Sequence, residues 1–167
     1  MVRTGTMALM LVLLVGCSAG DGSEPSANGN ETTKALETLR VVRISSEAPG
    51  QGPRGQRVIL APSAAALSQE VGAAIPDSGK GTYLAAYWGE KPTGGYSLAV
   101  RSARLEGDRV TVRLALAEPP SDAIVTQALT YPHAVAVVRG LDPGGKDFLF
   151  EDQRGRRLGW PVRRVGG

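Results

Sequence analysis

The chain has 167 residues, among them 22 glycines, 11 prolines and only eight aromatic residues. This composition favours a single domain with many turns and short strands, and it argues against long helices. The net charge of +3 is scattered along the chain rather than gathered in a basic patch, so nucleic acid is not expected as a partner.

The residues that most enzymes and metal sites need are scarce in this chain. Cys17 is its only cysteine and His133 its only histidine, so neither an intramolecular disulfide nor a cysteine-based or two-histidine metal site can form. No G-x-S-x-G elbow accompanies His133, and no P-loop, dinucleotide fingerprint or calcium loop is present. We therefore expect no enzyme activity, no cofactor, no metal and no small-molecule substrate.

Residues 1–16 have the features of an export signal. Arg3 precedes a nine-residue apolar run, which is shorter than the roughly 20 residues that a membrane span needs. The run ends in Leu-Val-Gly-Cys at residues 14–17, which resembles a bacterial lipobox. That resemblance implies a lipoprotein with acyl chains, such as palmitate, on Cys17, held at the outer face of the cell membrane or at an outer membrane. The alternative is an ordinary secretory leader with a chance cysteine.

Residues 17–35 are predicted to be a flexible tether between the lipid and the domain. From Ser18 to Thr33 the only apolar residue type is alanine, which cannot bury enough area to order the segment. A β-rich domain is expected to follow over residues 36–167.

The domain begins with two predicted strands and one predicted helix. Residues 39–44 and 57–60 are β-prone and are separated by a loop rich in glycine and proline. Residues 63–74 are rich in alanine and place Leu67, Val71 and Ala74 at helical spacing. The pattern predicts one amphipathic helix that ends before Pro76.

Strand patterns dominate the remainder of the chain. The strongest is the alternation from Arg109 to Leu116, which predicts that Val110, Val112, Leu114 and Leu116 face a core. The other predicted strands are residues 83–88, 97–105, 134–138, 148–150 and 158–162. Short strands with turns every eight to twelve residues favour a mainly β fold, and we expect an immunoglobulin-like β-sandwich with one packed α-helix.

The loop from Glu90 to Ser97 is the most distinctive motif. Pro92 fixes one backbone angle, and Gly94 and Gly95 permit positive φ, so the loop is suited to one tight shape. Two interpretations stay open. Tyr96 can anchor a simple turn in the core, or the loop can contact a partner through Lys91, Pro92, Thr93, Gly94, Gly95 and Tyr96, together with Tyr131 and Pro132.

Residues 82–139 carry a family resemblance. The run Gly-Glu-Lys-Pro-Thr-Gly-Gly-Tyr-Ser at 89–97, followed by Thr-Tyr-Pro at 130–132, resembles the PrcB C-terminal domain family. The resemblance implies a small β-rich domain in a secreted or lipid-anchored accessory subunit of a bacterial surface protease. It does not imply that the domain is itself a protease.

A second resemblance concerns the same loop. Residues 92–96, Pro-Thr-Gly-Gly-Tyr, are similar to the Asn-Pro-Thr-Thr-Gly-Tyr loop of chagasin-type inhibitors, which block cysteine proteases. The asparagine of that motif is replaced by Lys91 and its second threonine by Gly94.

Together these features predict a noncatalytic, lipid-anchored binding module of the cell envelope. Its expected partners are the membrane, through the lipid on Cys17, and a protease or another envelope protein. The alternative is a chagasin-like inhibitor acting through residues 91–96. A structural envelope protein without a discrete partner is a third hypothesis.

Overall fold

The structure is a computed structural model that describes residues 36–44 and 52–166. The predicted signal peptide and tether, with Cys17, lie outside these residues. The described part contains nine strands and one helix. In chain order they are β1 (Leu36–Leu39), β2 (Val41–Ile44), β3 (Arg57–Ala61), α1 (Ala64–Val71), β4 (Gly81–Tyr87), β5 (Ser97–Glu106), β6 (Arg109–Ala117), β7 (His133–Arg139), β8 (Asp147–Glu151) and β9 (Val162–Arg164).

The strands form two sheets that pack as a sandwich. One sheet has the order β1-β5-β6-β8 and the other β2-β7-β4-β3-β9. The chain passes from the first sheet to the second at Arg40, which alone separates β1 from β2. Most neighbours are antiparallel, but β6 pairs with β8, and β3 with β9, in parallel. These parallel pairs differ from the antiparallel sheets of an immunoglobulin sandwich.

The main core lies between the two sheets. Alternate residues of β6 enter it, and Val110, Val112 and Leu114 are fully buried, as the alternation predicts. The same core takes side chains from the facing sheet, including Leu84 of β4 and Val138 of β7. Because a strand presents successive side chains to opposite faces, the alternation in the sequence shows which face of β6 is turned to the core.

A second core lies on the other face of the five-stranded sheet, where α1 packs. Leu67 is fully buried there among Ile59, Tyr83 and Val137. Both faces of β4 are therefore covered, which explains its nearly continuous apolar sequence. The mainly β fold with one packed helix is confirmed.

The helix is shorter than the predicted 63–74. Ser63 is its N-cap, and its side-chain oxygen accepts a hydrogen bond from the N–H of Ala66. Gly72 adopts a left-handed conformation with φ of 68° and ends the helix. Ala74 therefore lies beyond the helix and is exposed, not part of its apolar face.

The last predicted strand is also displaced. Residues 158–161 precede β9, which begins at Val162 and forms the edge of the five-stranded sheet. Arg163 and Arg164 are exposed on this edge strand, where charge discourages pairing with other chains.

Candidate functional site

The distinctive loop, residues 90–97, pairs with the segment that connects β6 to β7, residues 118–132. The N–H of Lys91 donates to the carbonyl oxygen of Thr130 (2.8 Å), and the N–H of Thr130 donates to the carbonyl oxygen of Lys91 (3.0 Å). The N–H of Gly94 donates to the carbonyl oxygen of Thr126 (2.9 Å). The Thr130 hydroxyl donates to the carbonyl oxygen of Thr93 (2.7 Å). We call residues 90–97 and 118–132 the paired loops.

The two glycines of the 90–97 loop have different roles. Gly95 adopts φ of 85°, and a Cβ atom there would lie 2.8 Å from the Cβ of Pro119. Gly94 does not have a positive φ, contrary to the permissive role predicted for both glycines. It is buried, and a Cβ atom would lie 2.8 Å from the Oγ1 of Thr126. Both glycines are therefore required for close approach of the two loops, and Gly95 is required for the turn as well.

Tyr96 packs against the core rather than projecting as a free contact. Its ring meets that of Trp88 edge to face, with 5.7 Å between the ring centroids. The Nζ of Lys91 lies 4.3 Å from the centroid of Trp88 and 5.5 Å from that of Tyr96. A cation over two aromatic rings stabilises the loop by about 0.5–1 kcal/mol at such a half-exposed position. The geometry supports the structural interpretation of Tyr96.

Tyr131 and Pro132 hold the base of the paired loops. The Tyr131 hydroxyl donates to Oε2 of Glu90 (2.9 Å), and this hydrogen bond to a carboxylate raises the pKa of Tyr131. Arg54 lies 3.5 Å from the same carboxylate oxygen. Pro132 is buried, and its carbonyl oxygen accepts a hydrogen bond from the N–H of Trp88 (2.9 Å). The structure therefore brings the predicted loop residues close to Tyr131 and Pro132. Hydrogen bonds join Tyr131 to Glu90 and Pro132 to Trp88.

Two prominent exposed residues of the paired loops, Ile124 and Leu129, were not predicted as contact residues from the sequence, whereas the exposed Pro92 was. Ile124 is 104% exposed and Leu129 is 59% exposed, and Pro92 of the facing loop is exposed as well. Residues 123–130 carry no charge, although they form an irregular and mostly exposed segment. That uncharged run between Asp122 and His133 was the signal available in the sequence.

His133 has structural contacts. Its Nδ1 donates to the carbonyl oxygen of Tyr131 (3.1 Å), and its ring stacks on Tyr87 at 6.0 Å between centroids.

Within residues 36–44 and 52–166, no cluster of three or more His, Cys, Asp or Glu side chains could hold a metal ion. No helix in this described part is both long enough and apolar enough to cross a membrane.

The paired loops lie within the span from β4 to the end of β7. The family model described as PrcB C-terminal matches residues 82–139, which cover nearly all of this span. The predicted family resemblance is thereby confirmed for this part of the β-sandwich. No curated protein and no solved structure matches the chain.

Proposed function

We propose that this protein is a noncatalytic, lipid-anchored subunit of the cell envelope that binds and stabilises a secreted or surface protease, or another envelope protein. The match of residues 82–139 to the PrcB C-terminal family supports a protease-associated accessory role. The contact surface consists of the exposed residues of the paired loops. The observation that carries this assignment is the full exposure of Ile124 on a segment held by backbone hydrogen bonds.

An exposed isoleucine on a rigid loop is a suitable anchor for a partner. Burying its side chain at an interface contributes about 1.5–3 kcal/mol. Because the 118–132 segment is already bonded to Lys91 and Gly94, little further conformational entropy is lost when a partner binds. Single exposed apolar residues are common on protein surfaces, but here the exposed side chain, an uncharged run and a fixed backbone occur together.

The acidic neighbours of this segment favour a protein over a bilayer as the partner. Glu118 and Asp122 are exposed beside the uncharged run, and a negatively charged membrane surface would repel them. The membrane is instead contacted through the lipid on Cys17. The tether at 17–35 gives the domain freedom to reach its partner.

Photo-crosslinking from the surface of living cells tests this function. A photoreactive residue at position 124 is expected to give one discrete product containing an exported protease or another envelope protein. The matched control is position 36, because Leu36 is 60% exposed on the edge strand β1. The same products from both positions, or none from position 124, would contradict the assignment.

A direct assay separates this function from the inhibitor alternative. Inhibition of papain-like enzymes at micromolar concentration by the purified protein, lost on Gly94→Ala substitution, would favour the chagasin-like alternative. The accessory function predicts no inhibition.

A further inference from the structure

A cleft of about 460 Å³ opens at one end of the sandwich, where strands of both sheets end. Trp88 and Trp160 line it, at 7% and 8% exposure, and they are the two tryptophans of the chain. Its other walls include Leu116 and Arg154. Six of its ten lining residues are charged or carry a side-chain amide, and the two tryptophans and two leucines form an apolar wall among them. Such a cleft can bury an apolar side chain of a ligand while polar groups fix the ligand's orientation.

Beside this cleft, the end of strand β6 has a backbone edge with which none of the described strands pairs. Its parallel partner β8 pairs only with residues Arg109 to Arg113, so β6 continues beyond β8 to Ala117. There the side-chain amide of Gln153 takes the place of a neighbouring strand. The N–H of Leu116 donates to Oε1 of Gln153 (3.1 Å), and Nε2 of Gln153 donates to the carbonyl oxygen of Leu116 (3.0 Å).

This amide reproduces the bonds that an added strand would make. In an antiparallel ladder, a hydrogen-bonded residue exchanges both of its backbone bonds with one residue opposite, and here Leu116 exchanges both with Gln153. Gln153 is exposed, so its side chain can leave the edge without disturbing the core. The edge is thus covered by a group that a peptide can replace.

We propose that this cleft binds an extended peptide segment of a partner protein. The peptide pairs with β6 at Leu116 in place of Gln153 and directs one apolar side chain against Trp88 and Trp160. Addition of a strand to an exposed sheet edge is a common mode of peptide recognition, in which pockets for alternate side chains give specificity. The proposal does not rest on the proposed function, although Trp88 also contacts the paired loops.

The charges around the cleft favour an uncharged peptide over a polyanion. Arg156 is neutralised by Asp152, with 2.7 Å between Nε and Oδ2. The other charged residues of the lining, Arg154 and Glu118, have opposite signs. The lining therefore carries no net charge and lacks the basic character that a nucleic acid strand requires.

Selection of peptides and tryptophan fluorescence test the proposal. Random seven-residue peptides without tryptophan, displayed on phage, are selected on the purified full-length protein in detergent, and the enriched sequences are then synthesised. Binding is expected to change the emission of the two tryptophans, which both line the cleft. Methylation of alternate peptide nitrogens should abolish binding, because a methylated nitrogen cannot donate to a sheet edge.

The sharpest comparison uses two glutamine variants. Gln153→Ala removes the competing amide and is expected to tighten peptide binding about three- to tenfold. Gln69→Ala, at an exposed position of α1, should leave the affinity unchanged. The proposal is overturned if no peptide is enriched, if enriched peptides leave the emission unchanged, or if the two variants bind alike.

Discussion

At the scale of single residues, the paired loops depend on polar groups that satisfy one another. Glu90 accepts from the Tyr131 hydroxyl and lies beside Arg54, and Thr130 bonds to Thr93 through its hydroxyl. The exposed residues of the paired loops include three apolar ones, Ile124, Leu129 and Pro92, beside the acidic Glu118 and Asp122.

The buried carboxylate of Asp152 makes stability depend on pH. Hydrogen bonds from the backbone N–H and the guanidinium of Arg156, and from the N–H of Arg154, hold the pKa of Asp152 below its ordinary value of 3.8. Since the folded state binds this proton less readily than the unfolded state, the stabilisation is fully present above pH 3.8. It is lost as the pH falls through the lowered pKa.

Replacement of this carboxylate tests the dependence. Asp152→Asn is expected to lower the free energy of unfolding at neutral pH and to flatten its decline below pH 4, measured by urea unfolding across pH. The exposed Asp122→Asn variant is the charge-matched control. If the stability of Asp152→Asn declined below pH 4 as steeply as that of the wild type, the three hydrogen bonds would not favour the ionised form of Asp152.

At the scale of secondary-structure elements, local patterns in the sequence predict the strands better than their ends and neighbours. The alternation in β6 and the apolar sequence of β4 identify both strands, because each reflects how many faces are buried. The helix end is mispredicted because Ala73 and Ala74 continue a helix-favouring composition past Gly72. A left-handed glycine cap ends the helix despite that composition.

The pairing of the loops could not be derived from local sequence. The hydroxyl of Thr130 bonds to a residue 37 positions earlier, and Gly94 is bonded to Thr126. Such contacts depend on the positions of β4 to β7 in the two sheets. The exposure of Ile124 has the same origin, since an isoleucine in a sequence is expected to be buried until the fold shows that nothing covers it.

Gly95→Ala is predicted to weaken the paired loops. The substitution places a side chain at φ of 85° and its Cβ 2.8 Å from Pro119, so a loss of about 1–3 kcal/mol in the free energy of unfolding is expected. Gly140→Ala is the matched control, since φ is 72° there and no atom lies within 4 Å of the new Cβ. Denaturant unfolding of both variants measures the difference. If both variants lost the same free energy of unfolding, the contact of the new Cβ with Pro119 would cost nothing, and the prediction would be wrong.

At the scale of the whole molecule, the proposed arrangement is a lipid, a tether and a rigid sandwich that presents the paired loops. A lipid on Cys17 would confine the domain to one surface, where a weak interface would be sufficient because the effective concentration of the partner would be high. The cleft at the end of the sandwich, which is proposed to bind an uncharged peptide, would supply a second contact with the same or another partner.

Cys17→Ala is predicted to move the protein from the membrane to the soluble fraction. Acyl chains contribute about 0.8 kcal/mol per buried methylene, so the loss of two or three chains removes most of the membrane affinity. Fractionation of cells, with metabolic labelling by a fatty-acid analogue, measures the change. Continued retention of the unlabelled variant on the membrane would exclude Cys17 as the anchor.

We propose that the exposed residues of the paired loops contact a protein partner. The most direct measurement compares the partner proteins recovered with Ile124→Glu and with Leu36→Glu from detergent-solubilised membranes. Ile124→Glu is expected to fold as the wild type does, because its side chain is fully exposed, and to reduce recovery of an exported protease or other envelope protein at least about tenfold. Leu36→Glu should recover that protein as well as the wild type does. Full recovery with Ile124→Glu, or the same loss with both variants, would contradict the account.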